Sequence, residues 1–302
     1  MVQQTIFITS FHVLISRNIL ATDFFRSIRD DPSRRIVLFV PAKKREYFTK
    51  AFGGSNVLVQ GVETRLSAIQ LLLRNLALIA VRSRTVQIKR RAELAATGNH
   101  LRFAAKAVLA FVFAGRPWAR SLLRFLDWRL APRHTFGEHL TRYQPSLVFA
   151  TDVQNELDLA LMRGARARGI PVVGMVRSWD NITAKGVLRS IPDILVVTNE
   201  TVEREAVTLA GVPAEQIRVV GIPHYDSYRG MRPTPREEFF RRLKLDPAKR
   251  LALLAPIGDR YICEFQRDCV NKTDRAILTA LVEARERGEL PSGLQFLVRL
   301  PP

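Results

Sequence analysis

Seven short runs rich in β-branched and aromatic residues recur in the first three quarters of this chain, at 5–9, 35–40, 57–60, 146–150, 171–176, 193–197 and 217–220, with helix-length sequence between most of them. Strand-like runs that alternate with helical segments in this way predict a parallel sheet covered by helices on each side. The helix boundaries are legible as well. Thr151 and Asp152 stand where a cap is expected for a segment whose Leu157, Leu161 and Ala165 fall four apart, and Gly169 and Pro171 end it. Asn199 is placed to cap a second helix with Thr201, Glu203 and Glu205 in its first turns, stopped by Gly211 and Pro213.

The expected fold class is therefore α/β: a doubly wound, parallel, Rossmann-like domain over 1–230, with an inserted basic helical region. A Pro- and charge-rich linker follows over 231–248, with a short helix at 236–243. After it come a strand (251–255), a helix (273–287) and a strand (294–299), the start of a second Rossmann-like domain. Two strands and one helix cannot cover both faces and edges of a sheet, so the second domain is expected to be truncated and the chain to be the front part of a longer protein.

Charge is unevenly spread. The chain has 47 Lys and Arg against 28 Asp and Glu, a net charge of +19, and 38 of the 47 are Arg. Arg is the better bidentate phosphate ligand, although genome composition gives the same bias. Between 82 and 133 twelve basic residues face two acids, Glu93 and Asp127. Within that stretch Arg116, Arg120 and Arg124 share a helix face beside Trp118, Leu122, Phe125 and Leu126. Two readings fit: a basic amphipathic helix lying on an anionic membrane surface, or a solvated basic face over an ordinary core stripe. The longest apolar runs, 66–81 and 103–114, contain Arg74 and Lys106 and fall short of the ~20 residues a membrane span needs. Cys263 and Cys269 are spaced as neither a zinc knuckle nor a redox pair.

In open α/β sheets ligands bind beyond the carboxyl ends of the strands, so the residues that follow each strand carry the candidate chemistry. After the first run come Ser10 and His12, then Arg17 and Asn18 at a helix start: a hydroxyl, a base near neutral pH and a phosphate clamp. No GxGxxG is present, which counts against a standard NAD fold. After the fourth run, Asp152 is either a helix cap or a carboxylate for a sugar hydroxyl. After the fifth comes 177–186, with Trp179 to stack on a ring, Asp180 and Asn181 to bind hydroxyls and Lys185 to meet a phosphate. The last strand runs into Gly221, Pro223 and Asp226, which would present Asp226 at an interdomain cleft or form a hinge.

The stretch 217–226, preceded by 193–199, resembles the end of the N-terminal domain in two-Rossmann GT-B glycosyltransferases. The segment 178–186 is similar to one in bacterial surface-polysaccharide proteins related to CDP-glycerol glycerophosphotransferases. That resemblance implies transfer of a sugar or polyol phosphate from a nucleotide-sugar or CDP-polyol donor to a lipid-linked or glycan acceptor at the inner face of a membrane. His12 and Asp180 would be the catalytic candidates. It also implies no cofactor and no metal, since helix N-termini and basic side chains hold the leaving diphosphate in such folds. It places the acceptor on the N-terminal domain and most donor contacts on the C-terminal one. Three alternatives remain: a nucleotide-sugar epimerase of the same fold, although 256–260 lacks the epimerase loop, an inactive scaffold, and a basic nucleic-acid-binding protein. The last lacks a helix-turn-helix, RRM or zinc signature, so no specific nucleic acid is expected.

Overall fold

The computed structural model describes residues 4–63, 65–256 and 272–299. The chain divides into two compact units, Met1–Arg91 with Asn99–Gly230, and Ala92–Gly98 with Met231–Pro302.

In the first unit β1 (Gln4–Thr9), β2 (Arg34–Pro41), β3 (Val57–Val62), β4 (Leu147–Ala150), β5 (Val172–Met175), β6 (Ile194–Val197) and β7 (Ile217–Val219) form one parallel sheet in the order β3-β2-β1-β4-β5-β6-β7. Each expected run is a strand, with ends that differ by a residue or two. The helices are α1 (Val13–Ile15), α2 (Asp23–Arg29), α3 (Arg45–Phe52), α4 (Ala68–Ala80), α5 (Arg84–Thr97), α6 (His100–Phe113), α7 (Pro117–Leu130), α8 (Gly137–Tyr143), α9 (Glu156–Arg166), α10 (Asn181–Ala184) and α11 (Glu200–Glu205). A strand sends successive side chains to opposite faces, and both faces are apolar here. Phe7, Val37 and Phe39 join one core with α8 and α9, while Ile6, Ile8, Ile36, Leu38 and Val40 join the other with α2 and α3. Covering both faces is what makes the sheet doubly wound.

The inserted helices build a small core of their own from Leu73, Ala77, Ala80, Val86, Leu123 and Ala131. A capping box starts α4, where Ser67 and Gln70 satisfy each other's backbone N–H. On α7 the expected solvated arginine face is corrected, because two of its arginines are engaged within the protein. Ala119, Leu123 and Asp127 form the buried face, and Trp118, Leu122 and Phe125 are exposed. Arg120 and Arg124 reach back into the protein: Arg120 Nη1 donates to Leu209 O at 3.2 Å, Arg124 Nε to Leu188 O at 3.0 Å, and Arg124 Nη2 to Ala210 O. The cause is the helical turn Ala206–Ala210, whose last carbonyls lack helical partners and attract cations. Burial beside Arg120 pushes the Arg124 guanidinium down to about 10. Helix α6 has no buried residue, and its Leu101, Val108 and Phe111 are exposed. Among the described residues no helix is long and apolar enough to cross a membrane.

The second unit carries α12 (Arg236–Arg242), β8 (Arg250–Leu254), α13 (Lys272–Glu286) and β9 (Leu294–Val298), with β8 parallel to β9. From Met231 onward Phe240 is the one buried side chain among the described residues, and the Arg236 guanidinium lies 3.9 Å from its ring centre. Cys263, Cys269 and positions 257–260 lie outside the described residues.

Candidate functional site

The chain leaves β1 towards β2 on one side and places β4 on the other, so the sheet's topological switch lies between β1 and β4. A crevice opens at the carboxyl edge of such a switch, where the connections diverge. The side chains beyond β1, β4 and β5 meet there.

Asp152, two residues past β4, is the hub. Its carboxylate accepts from Arg177 Nε at 2.7 Å and from Lys185 Nζ at 3.3 Å, with Asn181 Nδ2 at 3.5 Å. The alternative role in capping is overturned: Asn155 caps α9, its Oδ1 accepting from Leu157 N at 2.9 Å. Asp152 Oδ1 accepts from Gln154 N at 3.2 Å, in the turn the chain makes before the helix begins, and the carboxylate still faces the cluster. Arg177 follows β5 and is nearly buried, as is Asp152, so their pairing is shielded from water and correspondingly strong. Lys185 is half-buried, and burial lowers its affinity for a proton despite the Asp152 charge.

His12 sits at the edge of this group. Its Nδ1 accepts from Leu14 N at 3.2 Å and so caps α1, which leaves Nε2 to carry the proton of the neutral ring. Burial, aided by the positive charges of Arg177, Lys185 and Lys44, holds the imidazole below its ordinary value against the pull of Asp152. The ring is therefore set as a neutral donor, with its basic nitrogen already engaged.

Two polar atoms of this edge are buried without a hydrogen-bond partner among the described residues, Ser10 Oγ and Asn181 Oδ1. A buried polar group left unpaired costs about 1–3 kcal/mol, and a bound ligand or water is the usual remedy. Beneath the cluster Thr151 N and Oγ1 bond Thr9, and Thr9 Oγ1 donates to the buried Asp158 carboxylate. Burial, then the nearby Asp152 charge, pushes Asp158 up to about 8.

The other sequence candidates are placed differently. Trp179 is 72% exposed. Asp180 accepts from Ser178 Oγ at 2.6 Å, outside the bonds that centre on Asp152. Arg17 is exposed and its Nε donates to the buried Asn18 at 3.2 Å. Gly221 has φ of 76°, a left-handed turn that suits glycine, and leads to the short helix Pro223–Tyr228, where Asp226 is exposed. That helix packs on the turn Ser16–Leu20 that carries Arg17 and Asn18. The loop 177–186 is pinned from outside: Ser83 Oγ donates to Thr183 O at 2.6 Å, and Gln154 Nε2 to Gly186 O at 2.6 Å. The sequence gives Arg177 a part only as one of two cations in the loop 177–186, and gives none to Lys44 or Asp158. The signal for Arg177 was its place immediately after a strand, whereas Lys44 and Asp158 join the site only through the order of the strands.

Among the described residues no three His, Cys, Asp or Glu side chains are grouped as a metal site. No protein-family model matches the chain, and no curated protein matches it. The fold is similar, at great distance, to three solved structures. One is the S. aureus MnaA–UDP co-structure (10% identity, TM-score 0.49, covering 99% of this chain and 62% of that one). Another is UDP-GlcNAc 2-epimerase from Neisseria meningitidis bound to UDP-GlcNAc (11%, 0.48, 99% and 66%). The third is a glycosyltransferase from Rickettsia africae (8%, 0.47, 98% and 68%). The chain thus spans about two thirds of each, and likenesses so distant do not bear on its reaction.

Proposed function

We propose that this chain takes part in moving a sugar or polyol phosphate from a nucleotide-activated donor to a lipid-linked or glycan acceptor, working against an anionic membrane surface. The observation that carries the reading is the meeting of His12, Asp152, Arg177, Asn181 and Lys185 at the switch crevice, beside the unpartnered Ser10 Oγ and Asn181 Oδ1. Lys185, whose ammonium is the more exposed of the two cations on Asp152, meets a phosphate oxygen. Ser10 and Asn181 hold hydroxyl groups. His12 donates Nε2–H to a substrate oxygen, and it can accept a proton only if Nδ1 releases Leu14 N–H. Asp180 remains the carboxylate available to an acceptor hydroxyl, with Trp179 free to stack on a sugar ring. Residues 249–302 would supply the start of the donor-side domain. The exposed apolar residues of α6 and α7 would enter the membrane interface, since the neighbouring Arg120 and Arg124 are engaged within the protein.

The test is transfer of label from a radiolabelled UDP-sugar and from CDP-glycerol to a membrane extract containing lipid-linked acceptors, on wild type and on His12→Ala, Asp180→Ala and Asn181→Ala. Acceptor-dependent transfer that each substitution depresses, at unchanged melting temperature, is the expected result. Turnover of neither donor, loss of activity only in proportion to lost folding, or an epimerised sugar formed without acceptor would each overturn the reading.

A further inference from the structure

A second polar cavity lies at the opposite, amino-terminal edge of the same sheet. It has a volume of about 690 Å³ and is bounded by the beginnings of β5, β6 and β7 and by α7 and α9. Strand β5 has four residues, roughly 13 Å of extended chain, so this cavity and the Asp152 cluster are held apart by the sheet's own thickness along the strands. What lines it is unusual: four guanidinium groups, Arg124, Arg163, Arg166 and Arg189, together with the rings of Phe125 and Trp128.

The arginines are not all consumed by their neighbours. Asp127 is shared, one oxygen accepting from Arg163 Nη1 at 2.7 Å and the other from Arg189 Nη1 at 3.1 Å. Arg189 Nη2 goes to Glu156. Arg163 is 1% exposed, yet its Nε and Nη2 have no partner among the described residues. The same is true of Oε1 of Gln216, which also lines the cavity. Arg166 is exposed at the end of α9 and lies 5.9 Å from the Trp128 ring centre. A buried guanidinium with open donors is costly unless something accepts from it, and a forked pair of N–H groups matches two oxygens of one phosphate.

We propose that this cavity is a binding site for a small phosphorylated organic anion, with the phosphate on Arg163 and Arg166 and a planar portion against Phe125 and Trp128. The four guanidiniums outnumber the two carboxylates of the lining, Asp127 and Asp193, and Asp193 is engaged by Val172 N at 2.7 Å. An anion therefore enters a positive field, and Gln216 Oε1 can accept from a donor on its planar part. Arg189, four residues beyond Lys185, spans the cavity and Glu156, the first residue of the helix that follows the Asp152 loop. The proposal is independent of the transfer reading, because Arg163, Arg166, Phe125, Trp128 and Gln216, which would hold the anion, are not members of the Asp152 cluster.

The probe is adenosine 5′-monophosphate, titrated calorimetrically into the whole chain, with adenosine and inorganic pyrophosphate as comparison arms. Saturable binding of the monophosphate is expected, weakened about tenfold or more for adenosine and for Arg166→Gln, the effect of one charge-assisted contact. Arg166 is exposed at a helix end, so this variant folds. Gln216→Leu should lower affinity for the monophosphate and leave pyrophosphate unchanged, which separates a specific organic phosphate from a general anion sink. The proposal is overturned if no phosphate binds saturably at millimolar concentration. It is overturned equally if Arg166→Gln binds as wild type does, or if Asn181→Ala, at the other edge, is the variant that abolishes binding.

Discussion

Replacing Asp152 by alanine removes the one carboxylate on which the crevice cluster converges. That group is 4% exposed and receives Arg177, itself 7% exposed, at 2.7 Å, and Lys185, 35% exposed, at 3.3 Å. Lys185 can turn to water when its partner goes, so its loss contributes little. Arg177 cannot, and a buried charge deprived of its counterion costs about 3–5 kcal/mol. For a unit of this size a loss of 1 kcal/mol lowers the melting temperature by about 2–4 °C, so a fall of about 6–20 °C is expected. Arg177→Met in the same background removes the stranded charge, and the double variant should return to within about 2 kcal/mol of wild type. Urea denaturation at pH 7 on wild type, both single variants and the double variant measures the free energies, and thermal unfolding of the same proteins measures the shift in melting temperature. A single Asp152→Ala loss below about 1 kcal/mol, or a double variant as unstable as the sum of the singles, would refute the claim that this pair organises the edge.

Three further outcomes follow from particular residues. Asp158 has its affinity for a proton raised from 3.8 to about 8, so in that window the folded chain holds a proton that the unfolded chain lacks. Its contribution to stability is full below the lower value and falls as pH rises, at up to about 1.4 kcal/mol per unit, levelling off above the upper one. Asp158→Asn should remove that slope in denaturation curves taken from pH 4 to pH 9, and an unchanged slope would place its source elsewhere. Gly186 has φ of 109°, and a Cβ there would stand 2.7 Å from Ala77 C and 2.8 Å from Leu78 N. Gly186→Ala should cost about 2–4 kcal/mol by thermal unfolding, and a cost near zero would mean that the contact between this loop and α4 yields easily. Amides of β8 and β9 should exchange with deuterium well before those of β5, because no described residue of β8 or β9 is buried whereas three of the four residues of β5 are. Equal protection would contradict that ordering.

The strands were readable because their signal is local. A strand covered on both faces must be apolar at nearly every position, and the runs at 35–40 and 171–176 have no other good explanation. Caps are local too, yet they were read less well. Asn199 is legible as a cap, whereas Thr151 and Asp152 look as suited to the role as Asn155, which fills it, since any of these side chains can bond a backbone N–H two or three residues on. The arginine face of α7 left two readings open for a related reason: periodicity shows which residues share a face and says nothing about what that face meets. Only the folded chain brings the open carbonyls of Ala206–Ala210 against Arg120 and Arg124.

The kind of sheet and the positions of its strands are legible in the sequence, because each depends on neighbours a few residues apart. The tertiary structure alone decided that β4 and not β2 completes the crevice with β1, and so that Asp152 meets Arg177 and Lys185 across 25 and 33 residues. It also engages His12 Nδ1 with Leu14 N and surrounds a cavity on the far edge with four arginines. Strand order and charge pairing arise from packing between distant segments, and the energy that selects them, burial of both sheet faces and desolvation of each ion, is a property of the assembled molecule that no short window of sequence contains.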